Sequence, residues 1–203
     1  NGVLFLDELP EYRRSALEAM RQPIEEGEVT VSRAASAVTF PASFQLLAAM
    51  NPCPCGFKGH PARECRCTPV QVAKYLGKIS GPLLDRIDLH VWTDPVDAES
   101  VLEGPPGESS QSIRARVMGA LDRQQARGGF NARIADQAIG TLCQLPRGGK
   151  SLLAAAMRQY HLSMRGYKRV IKVARTIADL EDSGAIKERH LAEALQYRPE
   201  FDL

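Results

Sequence analysis

Two short apolar segments, each followed by polar side chains, limit most strongly the folds open to this chain. Residues 3–6 run into Asp7 and Glu8, and residues 44–50 run into Asn51. Short apolar runs bounded by charges or turns are typical of buried strands in parallel sheets. The carboxyl ends of parallel strands meet at the edge where α/β sheets bind ligands, so we expect these polar side chains to lie together. The sequence therefore predicts an α/β fold.

The polar residues at this edge have the chemistry of a nucleotide hydrolase. Asp7 is suited to holding Mg²⁺, commonly through water, because this ion prefers hard oxygen ligands. Glu8 is suited to orienting the attacking water as a general base. The Asn51 amide is suited to hydrogen-bonding a γ-phosphate or that water. The alternatives are two solvated acids at a strand end and an ordinary Asn-Pro turn.

An arginine follows in the segment SGPLLDRIDLH. Arg86 begins residues 86–92, which we predict to be a strand, and a guanidinium at a strand edge can bind a phosphate in bidentate fashion. Pairing with Asp85 or Asp88 is the alternative.

The sequence holds no phosphate-binding loop of the form G-x-x-x-x-G-K-[ST]. The most similar segment, QLPRGGKS at residues 144–151, has Gln144 at the first glycine position. We predict that it is a loop and a helix start, capped by Ser151 or a neighbour.

Four of the five cysteines lie close together, as two C-x-C pairs: Cys53, Cys55, Cys65 and Cys67. Four thiolates around one ion favour tetrahedral Zn²⁺, which would stabilise a loop too polar to form a core. Free thiols are the alternative, since the commoner zinc spacing is C-x-x-C. We expect His60 to be a loop residue, with a role as a substitute metal ligand as the alternative, and Cys143 to pack in a helix.

The chain divides by pattern into an α/β part and a helical part. We predict a helix at 12–22 ended by Pro23, a hairpin with arms at 29–32 and 37–40, and a helix at 70–79. Residues 96–110 are rich in Pro, Gly, Ser and acids and form a predicted linker. The predicted domains are 1–95 and an all-α domain at 111–203, with helices at 111–127, 131–142, 149–160, 164–182 and 187–196.

The charge differs between the two parts. Residues 1–110 hold ten Lys and Arg against fifteen Asp and Glu, and residues 111–203 hold sixteen against nine. A basic half is compatible with nucleic-acid contact, although a solvated helical surface is the simpler interpretation. Four cations share one face of the helix predicted at 164–182, with the same two interpretations: Arg165, Lys168, Lys172 and Arg175. No apolar run reaches the roughly 18 residues of a membrane helix, and no secretory signal is visible.

The order of these motifs resembles a known family. The segments GVLFLDE, LLAAMNP, SGPLLDRIDLH and LSMRGYKRVIKVARTIADL are similar to the magnesium-chelatase-like branch of the AAA+ ATPases, and most of all to the bacterial competence protein ComM (YifB) group. The resemblance spans nearly the whole chain. It implies the second half of an AAA+ core, beginning at Walker B, followed by a small helical lid domain.

The resemblance also implies roles for five residues. Asp7 and Glu8 would be the Walker B acids that bind Mg-ATP and position water, and Asn51 the sensor-1 amide. Arg86 would be an arginine finger that acts on ATP in the neighbouring subunit of a ring, expected to be a hexamer, and Arg165 the sensor-2 arginine on the lid. The phosphate loop would lie before residue 1, so we expect the isolated chain not to hydrolyse ATP.

The hairpin resembles the presensor-1 hairpin that faces the central pore in related ring helicases. Its tip carries Arg33, for which a phosphate contact to DNA and a solvent-facing position are equal alternatives. The family resemblance implies a cytoplasmic, ATP-driven motor that moves branched DNA in transformation or recombination. The rivals are the ATPase subunit of a metal chelatase and a zinc-containing module that binds nucleic acid.

Overall fold

The computed structural model describes residues 2–33, 36–96, 102 and 104–198. The chain forms two compact units, one of residues 1–87 with 93–95 and the other of residues 88–92 with 96–198. Part of the predicted linker, residues 97–101 and 103, lies outside the described residues. No helix in the described ranges is long and apolar enough to cross a membrane.

The strands of the first unit form two small sheets, which confirms the α/β prediction. Strand β1 (Gly2–Leu6) pairs in parallel with β4 (Phe44–Ala48), from Gly2 opposite Phe44 to Leu6 opposite Ala48. The predicted hairpin is also present, with β2 (Glu28–Arg33) antiparallel to β3 (Ser36–Pro41). Its two tip residues, 34 and 35, lie outside the described residues.

The parallel strands are more exposed than a buried core strand. Val3 is 64% exposed and Phe5 60%, and Leu47 on β4 is half exposed. The prediction of buried strands is therefore wrong for this face, because no described element of the unit covers it. The core of the unit lies beyond the strand ends and includes Leu9, Leu17, Ile79, Leu83 and Leu84.

Short helices follow the strands of the first unit. They are a 3-10 turn (Leu9–Glu11), α1 (Arg14–Ala19), α2 (Arg21–Glu26), α3 (Pro69–Leu76) and α4 (Gly81–Leu84). Pro23 does not end the first helix as predicted. It lies in the first turn of α2, where the missing N–H of proline removes no helical hydrogen bond.

Residues 86–92 do not form the predicted strand. Asp88–Trp92 instead belongs to the helical unit, where Asp88 pairs with Arg169. The His90 backbone N–H donates to the carbonyl oxygen of Tyr197 at 2.9 Å. An apolar–polar alternation fits any extended segment, and this one contacts side chains and a helix end rather than a strand.

The second unit is all helical, as predicted. It contains α5 (Ser110–Ala126), 3-10 turns at Asn131–Arg133 and Asp136–Ala138, α6 (Ile139–Leu142), α7 (Arg147–Gln159), α8 (Met164–Leu180) and α9 (Glu188–Gln196). The helix predicted at 131–142 is broken into two turns and one short helix. The core surrounds α8, whose buried face includes Val170, Ile171, Ala174 and Ile177.

The segment that resembles a phosphate loop is a helix start, as predicted. Residues 148–150 lie in the first turn of α7, and Pro146 occupies the cap position without a side-chain cap, so the prediction of a cap from Ser151 or a neighbour is wrong. A Cβ atom at Gly149 would lie 2.5 Å from Leu191 Cδ1. The glycine is therefore required by the close packing of α7 against α9.

Candidate nucleotide site and cysteine cluster

The carboxyl ends of β1 and β4 place three of the predicted site residues at one edge. Backbone pairing continues past both strands, since Ala49 N–H donates to Leu6 O at 2.9 Å and Leu9 N–H donates to Ala49 O at 3.0 Å. Asp7 and Glu8 follow β1, and Asn51 follows β4 by three residues. The parallel pairing thus brings two carboxylates and an amide to the same end of the sheet.

The backbone at Glu8 is in a rare conformation. Its φ of 50° and ψ of 48° are left-handed, a region that residues with a Cβ atom adopt at a cost of about 1 kcal/mol or more. The Glu8 N–H donates to Asp7 Oδ1 at 2.9 Å, and the next two residues, Leu9 and Pro10, are buried. Such strain on an exposed acid is typical of functional sites, where the surrounding structure over-determines the conformation.

Asn51 is exposed, and both sides of its backbone are fixed. Met50 packs against the core of the first unit and also against the cysteine-containing cluster. Tyr75 of α3 is buried in the same cluster. Burial raises the pKa of the Tyr75 hydroxyl, and the neighbouring backbone N–H of Asn51 acts in the opposite direction.

Arg86 forms an ion pair with Glu25, at the end of α2. Its Nε donates to Glu25 Oε2 at 2.8 Å, Nη2 donates to the same oxygen, and Nη1 donates to Pro82 O at 2.7 Å. The Arg86 side chain is 9% exposed, against 37% for Glu25. A search of the sequence near Arg86 could not find this partner, because it lies 61 residues away.

The four clustered cysteines converge as predicted. Cys53 Sγ lies 3.4 Å from Cys55 Sγ and 3.6 Å from Cys65 Sγ, and the latter two sulfurs are 3.6 Å apart. All four sulfurs, including that of Cys67, lie within 4.8 Å of one another. Four sulfurs placed tetrahedrally at about 2.3 Å from Zn²⁺ would lie about 3.8 Å apart. The donor set and its spacing therefore fit a structural zinc ion.

Backbone N–H groups point toward the sulfurs. Hydrogen bonds from the N–H groups of Phe57 and Arg66 lower the pKa of Cys55 to about 6. Burial, followed by the neighbouring sulfurs, raises the pKa of Cys67 to about 12. Metal binding requires deprotonated thiols, and the hydrogen bonds to Cys55 favour its thiolate form.

The rest of the loop supports the cluster. Cys53 is fully buried against Val72, Tyr75 and Leu76 of α3. Thr68 Oγ1 caps that helix by accepting from the Gln71 N–H, while Gln71 Oε1 accepts from the Thr68 N–H. His60 Nδ1 accepts from the Ala62 N–H at 3.0 Å, in keeping with a loop residue. Cys143 is buried in the helical unit, as expected.

Arg165 lies in the second unit, in the first turn of α8. The turn is capped by Ser163, whose Oγ accepts from the Gly166 N–H at 3.0 Å. The Arg165 residue is exposed. Arg33 is the last residue of β2, and its side chain lies outside the described part of the chain.

The basic face predicted on α8 is not a uniform solvated surface. Lys168 Nζ contacts Asp136 Oδ2 at 2.5 Å, and Lys172 Nζ donates to Ala132 O at 3.3 Å. Arg175 is 3% exposed. Lys168 and Lys172 contact the 3-10 turns that precede α6, and Arg175 donates to the carbonyl oxygens of Ser183 and Gly184, so most of the face stabilises the helical unit.

A buried polar network lies beneath this face, and sequence analysis missed it. Asp179 is fully buried and pairs with Arg127 and with Arg175, the latter at 3.1 Å. Asn131 Nδ2 donates to Asp179 Oδ2 at 2.8 Å and to Thr176 Oγ1 at 3.0 Å. The only feature of the local sequence that pointed to this network was the four-residue spacing of Arg175 and Asp179 on one helix.

Comparison with known proteins agrees with this geometry. The family model described as magnesium chelatase, subunit ChlI, matches residues 1–101, and the model described as its C-terminal part matches residues 107–198. The chain is 44% identical over 201 residues to protein YifB of Escherichia coli (strain K12) and 44% identical over 200 residues to competence protein ComM of Haemophilus influenzae.

Each alignment covers 98% of this chain and 39% of the relative. Protein Rv2897c of Mycobacterium tuberculosis is 38% identical, in an alignment that covers 97% of this chain and 40% of that protein. The chain thus spans about two fifths of the length of the curated relatives it matches. The two family models together match most of its residues, and the chain belongs to the magnesium-chelatase-like family of AAA+ proteins.

Proposed function

We propose that this chain is part of an AAA+ ATPase that hydrolyses Mg-ATP. The observation that carries the proposal is the shared edge of β1 and β4, with Asp7, Glu8 and Asn51 at the ends of paired strands. The family supports it, because a magnesium-chelatase-like AAA+ protein is expected to be an ATPase. The 203 residues contain no phosphate-loop sequence, so they need the rest of the protein to hydrolyse ATP.

Each of the site residues has a separate proposed role in phosphoryl transfer. Asp7 provides a hard oxygen ligand for Mg²⁺, and Glu8 orients and polarises the attacking water. Asn51 donates a hydrogen bond without adding charge. Arg86 supplies positive charge to a neighbouring subunit in a ring, expected to be a hexamer, and Arg165 links bound nucleotide to the helical unit. Bound Mg-ATP would supply the phosphoryl group, whose loose transition state depends mainly on positioning and charge.

The substrate that we propose for the motor is branched DNA in the cytoplasm. The name competence protein, carried by a relative that is 44% identical, supports this assignment. Arg33 at the end of β2 is the proposed DNA contact. The second candidate is the ATPase subunit of a metal chelatase, which the descriptions of both family models favour.

The cysteine cluster is proposed to bind one structural Zn²⁺ ion. Three sulfur–sulfur distances of 3.4 to 3.6 Å and a fully buried Cys53 support this site. Four thiolates make a site that is closed to substrate, so the ion would stabilise the loop and take no part in hydrolysis.

The test is an ATPase assay of full-length protein with Glu8→Gln and, as control, Glu11→Gln. Glu11 is an exposed acid nearby that contacts Lys78. Loss of a general base should lower kcat by about 100-fold or more, while the control should retain activity. Normal hydrolysis by Glu8→Gln would exclude the proposed role.

The same assay distinguishes the substrates when branched DNA, single-stranded DNA or a porphyrin is added. Stimulation by branched DNA supports the DNA motor. Stimulation by porphyrin alone supports the chelatase.

A further inference from the structure

The turn that carries the first two cysteines lies against Asn51. The Gly56 N–H donates to Cys53 O at 3.0 Å, which closes a four-residue turn. Gly56 has a φ of +80°, and a Cβ atom built on it would lie 3.9 Å from Asn51 Oδ1. The Asn51 side chain is therefore next to the backbone of the cysteine loop.

The turn contains two of the four clustered cysteines. The turn begins at Cys53, which is fully buried, and includes Cys55. The two sulfurs are 3.4 Å apart, and each is 3.6 Å from Cys65 Sγ. A metal ion bound to these sulfurs would fix the turn at Cys53 and Cys55 with bonds much stiffer than loop contacts. Without the ion, the loop has few apolar side chains to order it.

We propose that a Zn²⁺ ion on Cys53, Cys55, Cys65 and Cys67 fixes the turn 53–56, and that this turn positions the Asn51 amide at the edge that carries Asp7 and Glu8. The proposal rests on the hydrolytic role proposed above for that edge. A displacement of about 1 Å at such a site costs on the order of 100-fold in rate, so the cluster would affect hydrolysis without contacting nucleotide.

Two glycine variants of the full-length protein separate this effect from simple strain. Gly56 and Gly59 both have a φ of +80°, but a Cβ atom at Gly59 meets nothing within 4 Å. Gly56→Ala and Gly59→Ala therefore introduce the same kind of backbone strain and keep all four thiols, while only the first adds a methyl group beside Asn51. Metal analysis should find one zinc per chain in both variants.

We expect zinc-depleted wild-type protein to show a kcat about 10- to 100-fold lower with little change in KM. Both glycine variants, whose added methyl groups make at most an ordinary contact, should hydrolyse ATP like wild type. Equal kcat values for wild-type protein with and without zinc would overturn the proposal. So would wild-type protein that binds no zinc when purified with Zn²⁺ present.

Hydrogen–deuterium exchange supplies a readout that does not depend on hydrolysis. In wild-type full-length protein, removal of zinc by a chelator should increase exchange in residues 49–57, and added Zn²⁺ should reverse the increase. Identical exchange with and without zinc would exclude the coupling, even if hydrolysis depends on Glu8 as proposed. If zinc alters exchange here while Glu8→Gln hydrolyses ATP normally, the coupling stands and the proposed function fails.

Discussion

Arg86 donates to Glu25 through Nε at 2.8 Å, and the pair joins the end of α4 to the end of α2. The arginine side chain is almost completely buried, while the carboxylate is more than one-third exposed. The Glu25 carboxylate fixes the orientation of the Arg86 guanidinium, because the planar guanidinium group matches the geometry of a carboxylate. The position of Arg86 therefore depends on Glu25.

Glu25→Gln tests this dependence in the ATPase assay of full-length protein. The amide keeps the shape of the side chain and removes its charge, so the hold on Arg86 weakens. A hydrogen bond to a charged group contributes about 1.5 kcal/mol or more, which corresponds to a loss in kcat of about tenfold. Glu26→Gln is the matched control, because the exposed Glu26 contacts Gln22. Equal activity in both variants would show that Arg86 does not need Glu25.

Asp179→Ala should strongly destabilise the helical unit. The variant leaves Arg175, which is 3% exposed, without its carboxylate, and a broken buried ion pair costs about 3–5 kcal/mol. Urea unfolding followed by circular dichroism measures the loss. Asp136→Ala breaks a surface pair with Lys168 and should change stability little. Similar losses in the two variants would contradict a structural role for the buried network.

Gly149→Ala and Gly148→Ala should have opposite effects on stability. A methyl group at Gly149 meets Leu191 and Pro146, and Leu191 is fully buried, so overpacking should cost about 1–3 kcal/mol. At Gly148 the obstacle is the end of the exposed Glu188 side chain, which can turn away, and alanine should gain up to about 1 kcal/mol in helix propensity. Thermal unfolding of the two variants measures the sign of each change in stability. Destabilisation by both substitutions would show that α7 tolerates no side chain at either position.

Acid should weaken the contact between the end of α8 and α9. Hydrogen bonds from Arg189 and then His190 lower the pKa of Glu181. Since His190 Nδ1 accepts the Lys187 N–H, its Nε2 carries the proton that Glu181 accepts at 3.0 Å. A lowered carboxyl pKa gives stability that is present above the ordinary value and is lost as pH falls through the lowered one.

Thermal unfolding between pH 7 and pH 3 measures this contribution. Glu181→Gln should be less stable than wild type at pH 7 and should lose less stability toward pH 3. Glu188→Gln, which changes an exposed neighbouring acid, should follow the wild-type curve. If the stability of Glu181→Gln fell with pH as steeply as that of wild type, the acid sensitivity would arise from other groups.

Local patterns in the sequence predicted the elements and much of the candidate site. The two apolar runs gave β1 and β4, and parallel pairing then placed Asp7, Glu8 and Asn51 at one edge. The spacing of the cysteines predicted a four-sulfur cluster because all four lie within one short loop. These features depend on neighbours in the sequence, where periodicity and residue type carry information.

Long-range pairs could not be predicted in the same way. Arg86 and Glu25 lie 61 residues apart, and Arg127 and Asp179 lie 52 apart. A charged residue carries no pattern that identifies a distant partner, so the solvated face predicted on α8 contains the buried Arg175. The exposure of Val3 also depends on what covers the sheet, which is a property of packing rather than of the strand itself.

The contact between Gly149 and Leu191 bears on how nucleotide-binding motifs are assigned in this family. Close approach of two helices and close approach of a backbone to a phosphate both exclude a Cβ atom, so both select glycine. Here a Cβ atom at Gly149 would meet Leu191 and the ring of Pro146, so helix packing accounts for this glycine. The Gly-Lys-Ser triplet of this chain is therefore a signature of helix packing, and substitution of Gly149 should alter thermal stability while leaving nucleotide affinity intact.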